Sequence, residues 1–421
     1  MKFSAIKGFR DILPEEVGNW QRLESVAREV MDAFGFQEIK LPLMERTELF
    51  SRSIGQETDI VSKEMYTLHD SKGRGMTLRP EATASVVRAY NQHRMDQNGA
   101  VQKLFTMGPM FRHERPQKGR FRQFYQVSAE MLGDPGPKSD ADLIVMAMHL
   151  FDSLGLKDLK LHLNSLGCPE CRPKFRAELE DYLFQQTDGL CSDCKRRAKT
   201  NPLRVFDCKV EACNQVVLGA PSILEFLCKV CGEHFETLKS YLESAGVDFI
   251  LNHQLVRGLD YYTRTTFEIQ TEQLGAQNAV AGGGRYDSLV RLLGGPDQPA
   301  IGFAVGVDRI IALLEKKDQP ATKKPDLFVA ALGGKAEMSC FKWAMDLRKA
   351  GLWVEMDYGG KGLKSQMKKA GRFGVKKVLI IGEEELTSGK GVFRDMDTKE
   401  QEEIDLNNVL ETMEKALKTD D

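Results

Sequence analysis

Long apolar runs are missing from this 421-residue sequence. The longest lies between Leu143 and Phe151, well short of the roughly 20 residues that a membrane helix needs, so no span of a bilayer is expected. The stretch from Met1 to Glu16 carries charges and no apolar segment, which argues against a secretion signal. We therefore expect a cytoplasmic protein.

An excess of charge of one sign is also missing. Lys and Arg total 59 and Asp and Glu total 61, which gives a formal net charge of −2. A basic footprint of the whole chain, typical of nucleic-acid-binding proteins, is therefore excluded. Any site for a polyanion has to be local.

The common nucleotide-binding and metalloprotease motifs are absent as well. No Gly-Lys pair is followed by Ser or Thr, so the sequence has no Walker A loop. The run Gly282-Gly283-Gly284 is followed by Asp287 where a Rossmann fold needs a third glycine. No H-E-x-x-H sequence occurs either.

The length predicts two or three domains, and the patterning places their boundaries. Residues 1–167 and 253–316 combine helices with strands and form a core domain, which residues 168–252 interrupt as a largely helical insertion. A Lys- and Pro-rich linker covers 317–325, and 326–421 alternate strands and helices as in a small α/β domain.

The densest chemistry lies in residues 111–126, which read as strand, loop and strand. Phosphate oxygens suit the arginine fork, and an adjacent aromatic ring offers a face on which a base stacks. A solvated surface hairpin is the alternative interpretation. The hairpin carries five fixed cations: Arg112, Arg115, Lys118, Arg120 and Arg122.

The second strand of this hairpin points an amide and a carboxylate in one direction. Strand alternation puts Gln126 and Glu130 on the face that also holds Phe124, which suits a small polar ligand. An exposed sheet face with mixed polar residues would show the same pattern.

The cysteines are paired along the insertion. Cys168, Cys171, Cys191 and Cys194 form C-x₂-C-x₁₉-C-x₂-C, a spacing that fits a structural tetrahedral zinc site. Buried cysteines without metal remain the alternative. A second local feature is the basic run from Lys361 to Lys377, which has no acidic residue and suits an RNA backbone or a solvated helix face.

Taken together, these motifs resemble the histidyl-tRNA synthetases, a class II aminoacyl-tRNA synthetase family, over essentially the full chain. Residues 255–262 and 281–287 are similar to the two histidine-specific signatures and are the most specific part of the match. The class-wide motifs 2 and 3 and two shorter matches lie at residues 111–126, 300–309, 8–14 and 78–83.

The resemblance implies an α+β fold: a six-stranded antiparallel catalytic sheet, a helical insertion and a C-terminal α/β anticodon-binding domain. It also implies a homodimer built partly on motif 1, around residues 39–49. The implied substrates are L-histidine, ATP with Mg²⁺, and tRNA(His), which react through histidyl-adenylate and pyrophosphate.

Site residues follow from the resemblance motif by motif. Arg257 and Arg112 would be catalytic, because they would stabilise charge at the α-phosphate. Residues that would bind ATP are Arg112, Glu114, Phe124 and Arg309. Residues that would bind histidine are Glu81, Thr83, Gln126, Glu130, Arg257, Tyr261 and Tyr262.

Two interpretations of other classes remain. One is a non-catalytic paralogue, the regulatory subunit of the first histidine-biosynthetic transferase, which typically lacks the C-terminal domain and the histidine signatures. The other is a zinc-stabilised RNA-binding module, which would leave Arg257, Glu81 and Glu130 without roles. Ala82 and Asp308 depart mildly from the family pattern.

Overall fold

The computed structural model describes residues 3–55, 58–99, 101–117, 119–275, 278–317 and 324–418. Lys118 of the predicted cation hairpin and residues 318–323 of the predicted linker lie outside them. The chain divides into two compact units, Met1–Pro320 and Ala321–Asp421. No described helix has the length and apolar character needed to cross a bilayer.

The first unit contains ten α-helices and eleven strands among its described residues. Its helices are α1 (Pro14–Ala33), α2 (Thr47–Ile54), α3 (Thr83–Gln92), α4 (Pro137–Ser153), α5 (Arg172–Gln185), α6 (Ser192–Thr200), α7 (Glu211–Leu218), α8 (Lys229–Ser244), α9 (Leu289–Leu292) and α10 (Val307–Lys317). Its strands are β1 (Gln37–Glu38), β2 (Met44–Arg46), β3 (Tyr66–His69), β4 (Gly75–Leu78), β5 (Gln102–Phe111), β6 (Gln123–Leu132), β7 (Lys160–Ser165), β8 (Phe249–Leu251), β9 (Thr263–Gln270), β10 (Ala279–Arg285) and β11 (Ala300–Gly306).

One large sheet organises this unit. Its order is β1-β5-β6-β11-β10-β9-β7-β8, and the six strands from β5 to β7 all pair in antiparallel fashion. The predicted six-stranded antiparallel sheet is therefore confirmed. The short strands β1 and β8 add a parallel pair at each edge. A second, three-stranded sheet has the order β2-β4-β3.

One face of the large sheet forms the main hydrophobic core. Apolar residues of α1, α4, α8 and α10 pack there against alternate residues of the strands, among them Val127, Ala129 and Met131 of β6. Because side chains alternate along a strand, Gln126 and Glu130 point to the opposite face. These two polar residues share the opposite face with a smaller apolar cluster that includes Leu104 and Leu132.

The insertion is only partly a separate body. Helices α5, α6 and α7 surround a small core of their own, whereas Phe235, Leu238 and Leu242 of α8 pack into the main core. The strand-like patterning of residues 255–271 predicts a strand, but β9 begins only at Thr263, and residues 255–262 form an irregular segment. The helical spacing near residues 286–293 predicts a helix, of which the structure forms the single turn α9.

The C-terminal unit is an α/β sandwich, as predicted. Its strands are β12 (Leu327–Ala331), β13 (Val354–Met356), β14 (Lys377–Ile381), β15 (Lys390–Asp395) and β16 (Gln401–Asp405). The parallel strands β13, β12 and β14 continue into an antiparallel pair, β15 and β16, which was not predicted. Its helices are α11 (Gly334–Lys349), α12 (Leu363–Phe373), α13 (Glu383–Ser388) and α14 (Val409–Lys418).

Candidate active site

A pocket of about 230 Å³ opens on the face of the large sheet that carries Gln126. The hairpin β5–β6, strands β9, β10 and β11, and the start of α10 supply its walls. Of the predicted site residues, six line it: Arg112, Glu114, Phe124, Gln126, Arg257 and Arg309. Four further residues that line it were not among the predicted ATP- or histidine-binding residues: Arg120, Tyr125, Glu268 and Asp308.

Four arginines converge on this pocket. Arg112 donates from Nε to the carbonyl of Pro80 at 2.9 Å, and its guanidinium lies 5.2 Å from the ring centre of Phe124. Arg257 donates from Nη1 to Glu268 Oε2 at 2.7 Å. Arg120 pairs with Glu114, and Arg309 donates to the carbonyl of Ala279.

The arginines outnumber the carboxylates in the pocket wall. Burial lowers the pKa of Arg309, and the positive charges of Arg120, Arg112 and Arg257 lower it further. Like charges held this close favour an anionic ligand, because the anion relieves their repulsion. The pocket is therefore suited to bind several phosphate oxygens at once.

Glycines in β10 leave space for the side chain of Arg257 and for the neighbouring strand. A Cβ on Gly282 would lie 2.3 Å from Arg257 Nη1, so only glycine leaves room for the guanidinium over β10. A Cβ on Gly283 would lie 2.2 Å from the carbonyl oxygen of Gly302 on the neighbouring strand. The glycine run 282–284, which does not fit a Rossmann motif, thus allows close packing in the sheet.

A buried polar layer continues the site from the pocket. Glu81 is buried and accepts the backbone N–H groups of Thr83 at 2.6 Å and Ala84 at 2.9 Å, which satisfies the first turn of α3. Burial raises the pKa of Glu81 above its usual range. Glu81 was predicted to bind a ligand, and in the structure its carboxylate caps the start of α3.

Glu130 occupies the centre of this layer and is 1% exposed. It accepts hydrogen bonds from Thr83 Oγ1 at 2.7 Å and from the hydroxyl of Tyr286. Burial raises the pKa of Glu130 to about 8, because both of its donors are neutral. Tyr286 belongs to the signature at 281–287, but its contact with Glu130 was not predicted.

Motif 3 makes room for Glu130. Gly302 of β11 pairs with Glu130 of β6 in the sheet, and a Cβ on Gly302 would lie 1.6 Å from Glu130 Oε2. The glycine is therefore required by the position of the carboxylate. Asp308, a departure from the family pattern, accepts the backbone N–H of Tyr125 at 2.9 Å and lies 3.6 Å from Arg10.

Tyrosines join the buried layer to the pocket. The rings of Tyr261 and Tyr262 are buried with their centres 4.7 Å apart, and Tyr261 also contacts the ring of Tyr286 edge-on at 5.6 Å. The guanidinium of Arg257 lies 5.9 Å from the ring centre of Tyr262. Gln126 Oε1 is buried without a hydrogen-bond partner among the described residues, so it is an acceptor that a ligand can use.

The cysteines assemble differently from the prediction. Eight of them form two groups of four: the hinge cluster, Cys168, Cys171, Cys228 and Cys231, and the insert cluster, Cys191, Cys194, Cys208 and Cys213. The predicted single site of Cys168, Cys171, Cys191 and Cys194 is therefore wrong. A C-x₂-C pair supplies only two of the four ligands of such a site. Which pair supplies the other two depends on the fold, and here the chain returns at α8 and brings Cys228 and Cys231 to Cys168 and Cys171.

A six-stranded antiparallel sheet with arginines at a motif 2 hairpin and at a motif 3 helix defines a class II aminoacyl-tRNA synthetase. The family described as histidyl-tRNA synthetase matches residues 8–170 and 204–310, and the anticodon binding domain family matches 326–416. The chain belongs to the histidyl-tRNA synthetase family, and it is accordingly a ligase.

Individual relatives agree with this assignment. The chain is 58% identical over 404 residues to a histidine–tRNA ligase of Desulfatibacillum aliphaticivorans, covering 96% of each chain. It is 52% identical over 403 residues to that of Geobacter sulfurreducens, covering 96% of this chain and 97% of the relative. The crystal structure of apo S. aureus histidyl-tRNA synthetase is similar with a TM-score of 0.82 at 36% identity, over 98% of this chain and 100% of that one.

Proposed function

We propose that the pocket activates L-histidine with ATP to histidyl-adenylate and pyrophosphate, and then transfers histidine to the 3′ end of tRNA(His). One observation supports this most strongly. Four arginines suited to phosphates share a sheet face with Glu130, a buried carboxylate that has no cationic partner among the described residues. An anionic and a basic substrate are thereby matched to adjoining parts of one site.

ATP occupies the arginine-lined pocket in this proposal. Arg112 holds the α-phosphate, Arg309 contacts the γ-phosphate end, and Phe124 stacks on adenine. Glu114 completes the ATP site and, through its ion pair with Arg120, keeps that guanidinium at the pocket wall. Mg²⁺ enters with ATP as part of the substrate and neutralises phosphate charge.

The first step joins the two substrates. A histidine carboxylate oxygen attacks the α-phosphorus of ATP, and the bond to the bridging oxygen of pyrophosphate breaks. Negative charge develops on the α-phosphate oxygens, next to Arg257 and Arg112. Glu268 holds Arg257 in place, so the charge meets a guanidinium that needs no reorientation.

The second step releases AMP. A hydroxyl of the terminal ribose of the tRNA attacks the histidyl carbonyl carbon, and the bond to the phosphate oxygen breaks. In both steps the protein mainly positions the reacting groups and stabilises charge.

Histidine lies against the buried polar layer. Glu81 and Thr83 bind the α-amino group, and Gln126 and Tyr261 complete the pocket. Glu130 and Tyr262 read the two imidazole nitrogens. A site built to hydrogen-bond its substrate rejects a non-bonding analogue by roughly 10⁴-fold or more, because its buried polar groups would remain unpaired.

The C-terminal unit contributes an RNA-binding surface. Lys369 is engaged with Asp357 at 3.2 Å and Lys377 with Asp395 at 3.0 Å, so these two cations stabilise the unit itself. Helical spacing predicts that Lys361, Lys364 and Lys368 share one helix face, but α12 begins at Leu363, so Lys361 precedes the helix. The exposed cations of the basic run suit the anticodon-arm backbone: Lys361, Lys364, Lys368, Arg372 and Lys376.

Three further properties belong to the proposal. The enzyme acts as a homodimer through residues 39–49, and it works in the cytoplasm, where its substrates serve protein synthesis. Residues 1–167 and 253–316 act as the catalytic domain, 168–252 as the insertion and 326–421 as the anticodon-binding domain, joined by 317–325.

Histidine-dependent exchange of pyrophosphate into ATP tests the proposal. Arg257→Ala should lower the exchange rate by about 10²–10³-fold, because one preorganised charge stabiliser is lost. Arg291→Ala is a matched control, since the Arg291 side chain is 66% exposed and lies outside the pocket. No histidine-dependent exchange in the wild type would favour the non-catalytic paralogue, and wild-type exchange in Arg257→Ala would remove its proposed role.

A further inference from the structure

Both cysteine clusters have the dimensions of a metal site. The four Sγ atoms of each lie within 4.8 Å of one another. In the hinge cluster Cys168 Sγ is 3.6 Å from Cys171 and 3.8 Å from Cys228, and in the insert cluster Cys191 and Cys208 are 3.9 Å apart. Four sulfurs at about 2.3 Å from one ion would be about 3.8 Å apart, which is the tetrahedral thiolate geometry of zinc.

The other states of cysteine fit less well. None of the nine cysteines, all within the described residues, forms a disulfide. Ordinary buried thiols behave as small apolar groups and have no reason to meet four at a time. Cys340 shows that behaviour: it is buried alone in the core of the C-terminal unit.

Backbone groups point at the sulfurs as they do in metal sites. Cys228 donates its N–H to Cys171 Sγ at 3.1 Å, and Cys191 donates to Cys213 Sγ at 3.2 Å. Such bonds orient the ligands and stabilise the negative charge of a thiolate. Each cluster therefore has tetrahedral dimensions and outer hydrogen bonds.

The hinge cluster lies where the insertion leaves and rejoins the sheet. Cys168 and Cys171 follow the end of β7, and Cys228 and Cys231 lie at the start of α8. A bound ion there would fix both ends of the intervening segment at one point. Because such an ion holds together residues 57 positions apart, it would remove much of the freedom of the unfolded loop.

Each cluster also adjoins an arginine that contacts the histidine signature. Arg172 follows Cys171 directly and donates to the carbonyl of Tyr262. Arg204 lies four positions before Cys208 and donates to the carbonyl of Arg257 at 3.0 Å, while its Nη2 is 2.5 Å from Asp260 Oδ1. Both contacts are made to the irregular segment 255–262.

We propose that each cluster binds one Zn²⁺, and that the two ions hold Arg172 and Arg204 against the backbone of residues 255–262. The zinc ions are structural, since all four positions around each are filled by thiolates. Arg172 and Arg204 are positioning residues, because they act through the segment that carries Arg257 and Tyr262.

Elemental analysis of the untagged full-length protein, purified without chelator, tests the metal sites. We expect two Zn²⁺ per chain, about one in Cys228→Ser and about one in Cys208→Ser. Cys340→Ser is the matched control and should keep two. Fewer than two zinc ions in the wild type, iron instead of zinc, or two ions retained in either cluster variant would overturn the proposal. If a variant does not fold, the wild-type content decides.

Hydrogen exchange tests the positioning role. After the metal is removed from the full chain with a chelator, amides of 255–262 should exchange faster together with those of 172–226, while β5 and β6 keep their protection. Unchanged exchange in 255–262 after zinc loss would refute the role of the two arginines. Neither measurement uses histidine activation, so its outcome is independent of the proposed reaction.

Discussion

Two carboxylates of the first unit, Asp140 and Glu130, are equally buried and differ in their partners. Asp140 is fully buried and accepts two bonds from Arg285, at 2.6 and 3.0 Å, and one from Thr265, while His234 Nε2 lies 2.8 Å away. Within the described part of the chain, Glu130 accepts side-chain hydrogen bonds only from the hydroxyls of Thr83 and Tyr286. The charge of Asp140 is therefore balanced by a cation of the protein, whereas the charge of Glu130 is not balanced within the described residues.

Their pKa shifts have opposite signs for this reason. Burial would raise the pKa of Asp140, but the hydrogen bond from His234 and the charge of Arg285 outweigh it and lower the pKa. Burial raises the pKa of Glu130 to about 8, since the hydrogen bonds from Tyr286 and Thr83 offset it only in part and the charge of Glu81 adds to it. A buried carboxylate whose charge is satisfied internally stabilises the fold, whereas one that lacks a cation is suited to a basic ligand such as imidazole.

The largest effect is expected at Asp140, whose charge Arg285 balances. Asp140→Asn leaves Arg285 buried without its main counter-charge, so the free energy of unfolding should fall by about 3–5 kcal/mol. Chemical denaturation measures it. Asp297→Asn, at a side chain that is 71% exposed, is the control and should change little. A loss at Asp140 no greater than at the control would mean that the network does not stabilise the fold.

An intermediate effect is expected when a side chain at position 302 displaces Glu130. In Gly302→Ala the new methyl group displaces the Glu130 carboxylate, so kcat/KM for histidine should fall by roughly 10²-fold in the exchange assay. The KM for MgATP should stay near the wild-type value. Gly232→Ala, whose Cβ would meet nothing within 4 Å, serves as the control. Equal losses for both substrates would contradict a separate histidine end.

A third effect concerns stability against pH. The pKa of Glu130 is raised on folding from an ordinary value of 4.5 to about 8, so the folded state binds the proton more tightly. Its contribution is fully present below pH 4.5 and is lost as the pH rises through 8, at no more than about 1.4 kcal/mol per pKa unit.

Glu130→Gln removes this titration. The melting temperature of the variant relative to wild type should therefore increase between pH 5 and pH 9, as followed by calorimetry. A constant difference across this range would show that Glu130 does not titrate as its surroundings imply.

Sequence patterns predicted the fold where periodicity is local. The predicted strands of the cation hairpin agree with the structure, and helical spacing over residues 14–34 and 140–154 likewise predicts α1 and α4, because alternation and helical spacing reflect burial directly. Segment 255–262 was predicted as part of a strand but is irregular. Most of its apolar residues pack in a cluster with Tyr90 and Tyr286 and not in a sheet. The β15–β16 pair was not anticipated.

Long-range partners were beyond the reach of sequence patterns. The motifs indicated Arg112, Arg257 and Glu130, but not that Tyr286 and Thr83 both donate to Glu130. The cysteine spacing indicated metal ligands, yet the pairs that meet were wrong because the return of α8 decides them. In each case the missing information is which distant residue the tertiary fold brings near.

A crossed titration tests the central claim that one end of the site binds phosphates and the other binds histidine. Arg112→Ala and Glu130→Gln are each titrated calorimetrically with MgATP and, separately, with L-histidine. Arg112→Ala should lose at least about 10-fold in MgATP affinity and keep histidine affinity, and Glu130→Gln should do the reverse, since one charge-assisted contact is worth about 1.5–3 kcal/mol. If both variants lose both ligands equally, or neither loses either, the division of the site is wrong.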